Sequence, residues 1–210
     1  LIEKKILSDL RIDCLQLRYP SLNCEEIKRA KYQDEIKWLI GSPLRNKFIA
    51  DLCGRLKGNT LVLFQFVEGH GAELHKLVNK SVDSARKVFF VHGGTEAVER
   101  EDIRKIVETE TDAIIIASYG VFSTGISIRR LHNIVFASPS KSRIRVLQSI
   151  GRQLRVSEHK TMARLYDIGD DLSWKTWTNH TLRHMKERLK LYESEGFDYR
   201  LIKIDIGGER

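Results

Sequence analysis

What the sequence lacks narrows its class first. Cysteine is scarce and odd in number: Cys14, Cys24 and Cys53 form no C-x-x-C pair and have no histidine close by. That excludes a disulfide framework or a zinc site and leaves buried or idle thiols in a reducing compartment. Long apolar runs are missing too; stretches such as Ala113-Ile114-Ile115-Ile116-Ala117 are far too short to cross a bilayer. The opening Leu1-Ile2-Glu3-Lys4-Lys5 has no signal-peptide layout and no initiating Met, so the chain reads as a domain of a longer protein. Neither a G-x-x-x-x-G-K-[ST] phosphate cradle nor an acidic D-E-x-[DH] box after a strand is present. Asp34-Glu35 falls in a charged helical stretch and is expected on a solvated face. There is no internal repeat and no low-complexity linker.

What is present is basic and regularly patterned. Lys and Arg number 36 against 28 Asp and Glu, a formal charge of +8 over 210 residues. Such a balance favours an anionic partner, nucleic acid being the commonest, against the plainer reading of a basic soluble domain. The length suits one compact domain with an appendage. Short apolar runs predict strands at Ile12–Leu17, Leu61–Val67, Val88–Val91, Asp112–Ser118, Asn133–Ala137 and Ala163–Ile168. Helices are expected over Glu25 to about Ile40, His70–Asn79, Thr95 to about Glu108 and Ser142–Arg155. This alternation predicts an α/β fold built on a mainly parallel sheet, with ligands at the carboxyl ends of the strands. After residue 170 a basic helix (Thr178–Tyr192) and an alternating strand (Tyr199–Ile204) are expected as an extension spanning 171–210, packed on a main domain over 1–170.

The strand exits carry the chemistry. In Gln148-Ser149-Ile150-Gly151-Arg152-Gln153-Leu154-Arg155, residues 148, 152 and 155 fall at i, i+4 and i+7, so a helix projects them from one face. Two guanidiniums fixed on one face make a permanently charged clamp for phosphate oxygens. The plainer reading is a solvated basic face. Ala117 to Ile128 runs from a strand into small hydroxyls and glycines, where backbone N–H groups can approach an anion. Two further exits, Phe66-Val67-Glu68-Gly69-His70-Gly71 and Val91-His92-Gly93-Gly94-Thr95, place glycine and polar groups at helix N-termini. Each exit is weak alone; their order is not.

The succession LVLFQF, VHGGT, ASYGVFSTGISI, QSIGRQLR resembles motifs IV, IVa, V and VI of superfamily 2 helicases, all in the second RecA-like domain. The resemblance covers about residues 61–155 by motif. Gln148, where RNA-type enzymes of this superfamily have His, resembles the DNA-translocating and repair branch. Arg130 to Ser142 is similar to phage recombination helicases.

This resemblance implies a RecA-like three-layer domain, the motor half of an ATP-driven DNA helicase acting in recombination, repair and replication on branched DNA and RNA–DNA hybrids. It implies Arg152 and Arg155 as catalytic arginines facing the γ-phosphate, Gln148 beside them, and Gly125 and Ser127 as nucleotide-side residues. Gly69, His70, Gly71, His92, Gly93, Ser118 and Tyr119 would contact the nucleic-acid backbone. ATP and Mg²⁺ would be held mainly by a preceding RecA-like domain, so these residues alone would not hydrolyse ATP. The whole protein would act in the cytoplasm, the host's if phage-encoded, with no membrane partner and no resident metal site. Ser127 departs from the family's Asp or Asn and Ser118 from its Thr; both keep a hydroxyl. An RNA helicase domain and a non-catalytic RecA-like binding module are the competing readings.

Three features stand outside this pattern. His180 and His184 have the i, i+4 spacing of a metal pair, but no Glu between them and no third ligand. Lys186, Arg188 and Lys190 on the same helix suit either DNA or solvent. Trp174 and Trp177 suit packing of the extension.

Overall fold

The computed structural model describes residues 10–123, 131–138 and 163–208. Its centre is a seven-stranded sheet: β1 (Leu10–Arg18), β2 (Thr60–Phe64), β3 (Val88–Val91), β4 (Ile114–Ser118), β5 (Asn133–Phe136), β6 (Ala163–Asp171) and β7 (Asp198–Asp205). The strand order is β3-β4-β2-β5-β6-β1-β7 and every pairing is parallel. All strands therefore point the same way, and every strand exit lies on one edge of the molecule.

Strands covered on both faces carry apolar residues without alternating with polar ones, which explains the continuous runs of the sequence. Their side chains still alternate between two cores. Leu61, Leu63, Ile115, Ala117, Ile134 and Phe136 enter one, beneath α5 (Ala97–Thr109) and α7 (His180–Ser194). Val62, Phe64, Ile114, Ile116, Val135 and Ala137 enter the other, beneath α1 (Ser21–Ile27), α2 (Tyr32–Gly41), α3 (Pro43–Arg55) and α4 (Ala72–Ser81). The result is a three-layer RecA-like α/β domain, as the sequence pattern predicts.

Two departures have local causes. The helix expected over 25–40 is broken into α1 and α2, because Lys28 leaves helical geometry (ψ 134°) and Arg29 sits in the left-handed region at φ 59°. Gly41-Ser42-Pro43, which reads as a terminator, also starts α3. Ser42 accepts a hydrogen bond from Arg45 N at 3.4 Å, and Pro43 occupies the first helical position, where no N–H is needed. A further short helix, α6 (Tyr119–Ser123), follows β4 directly.

After residue 170 the chain continues the sheet. β6 itself runs to Asp171, α7 crosses one face, and β7 pairs with β1 as the outermost strand. Arg11 with Asp198, Arg200 with Asp13, and Arg18 with Asp205 cross-link that pairing. Glu35 overturns its assignment to a solvated face. It is fully buried and accepts from Asn179 Nδ2 (2.9 Å), His180 N (2.9 Å), Thr181 N (2.8 Å) and Thr181 Oγ1 (2.7 Å). The carboxylate thus caps the N-terminus of α7 from a distant helix, where free N–H groups favour negative charge. His180 and His184 both lie edge-on to Tyr32, at 5.9 and 5.3 Å between ring centres.

Candidate functional site

The exits of β2, β3, β4 and β5 gather on one edge of the sheet, and each described candidate residue sits there. After β2 the chain makes a wide turn over Val67–Gly71 before α4. Gly69 takes φ +75°, a conformation that favours glycine, and a Cβ there would meet nothing within 4 Å. Gly71 is glycine for another reason: a Cβ would lie 2.5 Å from Phe64 Cε2. Glu68 and Gly69 are exposed.

The His70 side chain is fully buried, with Nδ1 3.1 Å from Ser138 Oγ. Its Nε2 has no hydrogen-bond partner among the described residues. Burial, aided by the nearby charge of Arg45, pushes its pKa down to about 3 and keeps the ring neutral. Glu68 and Gly69 are the exposed residues of this turn.

The β3 exit is a tight turn. Thr95 N donates to the His92 carbonyl (2.9 Å) and His92 N donates to Thr95 Oγ1 (3.0 Å). Gly94 N donates to His92 Nδ1 at 3.1 Å, which places the ring proton on Nε2. Gly93 and Gly94 are exposed, and His92 is half-buried against Phe90. Phe90 in turn stacks on Phe64 and His75. At the β4 exit Ser118 is buried, and Tyr119 is half-buried, edge-on to Phe136 at 6.0 Å. Gly125, Ser127, Gln148, Arg152 and Arg155 lie outside the described residues.

Beneath these exits lies a buried polar cluster absent from the motif reading. Arg45, fully buried on α3, donates through Nε to Asp170 Oδ1 (2.8 Å) and through Nη2 to Oδ2 (3.2 Å). Its Nη1 reaches the Ala137 carbonyl at 2.6 Å, and Tyr19 hydroxyl donates to Asp170 Oδ1 at 2.8 Å. Burial opposes the Arg45 charge, but Asp170 and the neighbouring groups outweigh it and raise its pKa, while burial beside Asp170 pushes the Tyr19 pKa well up. The cation and the phenol both keep their protons. One signal in the sequence pointed here: an Asp pair closing an apolar strand, where a buried carboxylate needs a cation.

The matches to known proteins fall on these same residues. The model of the helicase conserved C-terminal domain matches residues 45–157, more than half of the chain. The chain belongs to the helicase C-terminal domain family. Within that family it is 36% identical to the ATP-dependent DNA helicase uvsW of Enterobacteria phage T4 over 98% of this chain and 43% of that protein. The crystal structure of T4 UvsW superposes with a TM-score of 0.85 at 37% identity, covering 94% of this chain and 42% of that one. IRC3 of Saccharomyces cerevisiae is 30% identical over 51% of this chain and 15% of its own length. The chain thus spans less than half the length of these relatives. The superfamily 2 helicase domain expected from motif order is thereby established.

Proposed function

We propose that this helicase C-terminal domain is the second motor half of an ATP-dependent DNA helicase or translocase that remodels branched recombination, repair and replication intermediates, RNA–DNA hybrids included. The observation that carries the reading is similarity to the phage DNA helicase along nearly the whole chain, joined to a parallel sheet whose described strand exits share one edge. Gly69, Gly93 and the backbone at Ser118 and Tyr119 line that edge for a nucleic-acid strand. Arg152 and Arg155, with Gln148 beside them and Gly125 and Ser127 preceding, would face the nucleotide.

Bound ATP supplies a phosphoryl group whose transfer develops negative charge. Arginine positioned against that charge contributes about 10³–10⁵ in rate. No group of three or more His, Cys, Asp or Glu able to hold a metal forms among the described residues. Mg²⁺ and the triphosphate would be gripped chiefly by a preceding RecA-like domain, so activity belongs to the two-domain enzyme. No helix among the described residues is long and apolar enough to cross a membrane.

The test is Arg155→Ala in the full-length protein, assayed for ATPase and unwinding on forks, junctions, RNA–DNA hybrids and duplex RNA. Loss of DNA-stimulated ATPase with DNA binding retained is expected. Parental turnover by the variant refutes the arginine assignment, and preference for duplex RNA refutes the DNA reading.

A further inference from the structure

Two of the strand exits are joined by aromatic rings. Phe64, fully buried at the end of β2, stacks on Phe90 of β3 with ring centres 5.5 Å apart and planes 21° apart. His75, in the first turn of α4, lies flatter still on Phe90, at 5.1 Å and 13°. His92 meets the same phenyl ring at 5.1 Å, tilted by 48°. Glycines let both turns close on these rings: Gly71 abuts Phe64, and a Cβ at Gly94 would lie 3.0 Å from His92 Cε1. Phe90, His75 and His92 are half-buried, and β3 is an outermost strand of the sheet. The ladder therefore runs from the core to the surface between the turns that carry the exposed Gly69, Gly93 and Gly94. His75 gains nothing there from its polarity. Its side chain makes no hydrogen bond and has no second ring partner among the described residues, and an apolar side chain would pack on Phe90 as well. Burial lowers its pKa from the ordinary imidazole value, so the ring is uncharged at neutral pH.

We propose that His75 is a stacking platform for an unpaired base of the nucleic-acid strand, with Phe90 and Phe64 behind it as a rigid support. This rests on the motor reading above, which lays the strand along the same exits, and it adds a residue outside every motif that meets a base rather than the backbone. Planar rings stack offset and parallel, and the flat seat of His75 on Phe90 fixes the plane a base would extend. Every base has a π-face, so such a contact holds a strand without reading its sequence. A motor that steps along a strand meets a different base at each step, and this contact tolerates the change. Phosphate contacts set the salt dependence of binding, and an uncharged ring adds nothing to it. His92 is tilted and its Nδ1 is tied to Gly94 N at 3.1 Å, so it offers a donor edge rather than a flat face.

The experiment measures binding of the full-length enzyme to a single-stranded homothymidine DNA and to an abasic strand of the same length. Parent, His75→Ala, His75→Leu and His75→Phe are compared. Loss of one base–aromatic stack should weaken binding of the homothymidine strand about five- to thirtyfold in His75→Ala and His75→Leu. His75→Phe restores a flat ring and should stay within about threefold of the parent. On the abasic strand all of these proteins should agree within about twofold, and the slope of log affinity against log salt should be common to them, because no phosphate contact is removed. Leu keeps the apolar contact with Phe90, so His75→Leu separates loss of the stack from loss of folded protein, and thermal unfolding midpoints are recorded for each variant. Equal losses on the two strands overturn the inference, as does a His75→Phe protein that binds as weakly as His75→Leu. Parental binding by His75→Leu also sinks it, and leaves the motor reading intact where the parent hydrolyses ATP in response to DNA. A parent that neither binds the strand nor hydrolyses ATP in response to DNA refutes both.

Discussion

Replacing Arg45 by Met keeps most of the buried aliphatic stem while deleting the charge. In the parent, Arg45 and Asp170 are both without solvent exposure, and the guanidinium makes two bonds to the carboxylate and one to the Ala137 carbonyl. The variant leaves Asp170 with the Tyr19 hydroxyl and leaves the Ala137 carbonyl without its side-chain donor. Removing one member of a buried pair costs about 3–5 kcal/mol, because the remaining charge stays desolvated. The exposed pair Lys47–Asp51, with side chains 71% and 35% accessible, sets the contrast: its loss should cost at most about 1 kcal/mol. Urea unfolding followed by the fluorescence of Trp38, Trp174 and Trp177 reads both. With a slope of about 2 kcal/mol/M, Arg45→Met should lower the midpoint on the order of 2 M and Lys47→Met by less than about 0.5 M. The double variant Arg45→Met, Asp170→Leu should recover a large part of the loss, since a hydrophobic pair replaces an uncompensated charge. Equal midpoints for Arg45→Met and Lys47→Met would refute the reasoning, as would a double variant less stable than Arg45→Met.

Three further perturbations test other parts of the structure. Glu35→Ala strands three or four donors at the start of α7 and should cost about 2–4 kcal/mol; amide exchange should accelerate first over residues 180–184, and uniform acceleration across the sheet would contradict the capping role. His70 has a folded pKa of about 3 against about 6.5 in the unfolded chain, so as pH falls the unfolded state takes up the proton first. Its contribution is complete above pH 6.5 and is lost progressively towards pH 3; His70→Gln should flatten the dependence of the urea midpoint across that window, and an unchanged slope would show that other groups set it. Gly71→Ala places a methyl 2.5 Å from Phe64 Cε2 and should cost about 1–3 kcal/mol through overpacking, whereas the open surroundings of Gly93 should let Gly93→Ala pass within about 0.5 kcal/mol; equal thermal shifts for the two would argue against the packing at Phe64.

Local patterning alone determined much of this protein. Strands buried on both faces must be apolar throughout, so β2, β4 and β5 were legible as continuous runs, and parallel order followed from their alternation with helices. The motif succession placed the candidate site at the strand exits, because exits of a parallel sheet share one edge. It did not fix side-chain direction: His70 reads as a surface ligand in sequence, yet the Val67–Gly71 turn rotates it onto Ser138, 68 residues away. Nor could it foresee that Glu35 would cap a helix 145 residues later, or that Arg45 and Asp170, 125 residues apart, would neutralise each other in the interior. Charges so placed look solvated in any short window of sequence. Their burial is decided by long-range partners, because only a folded chain brings together the donors and acceptors that make desolvation tolerable.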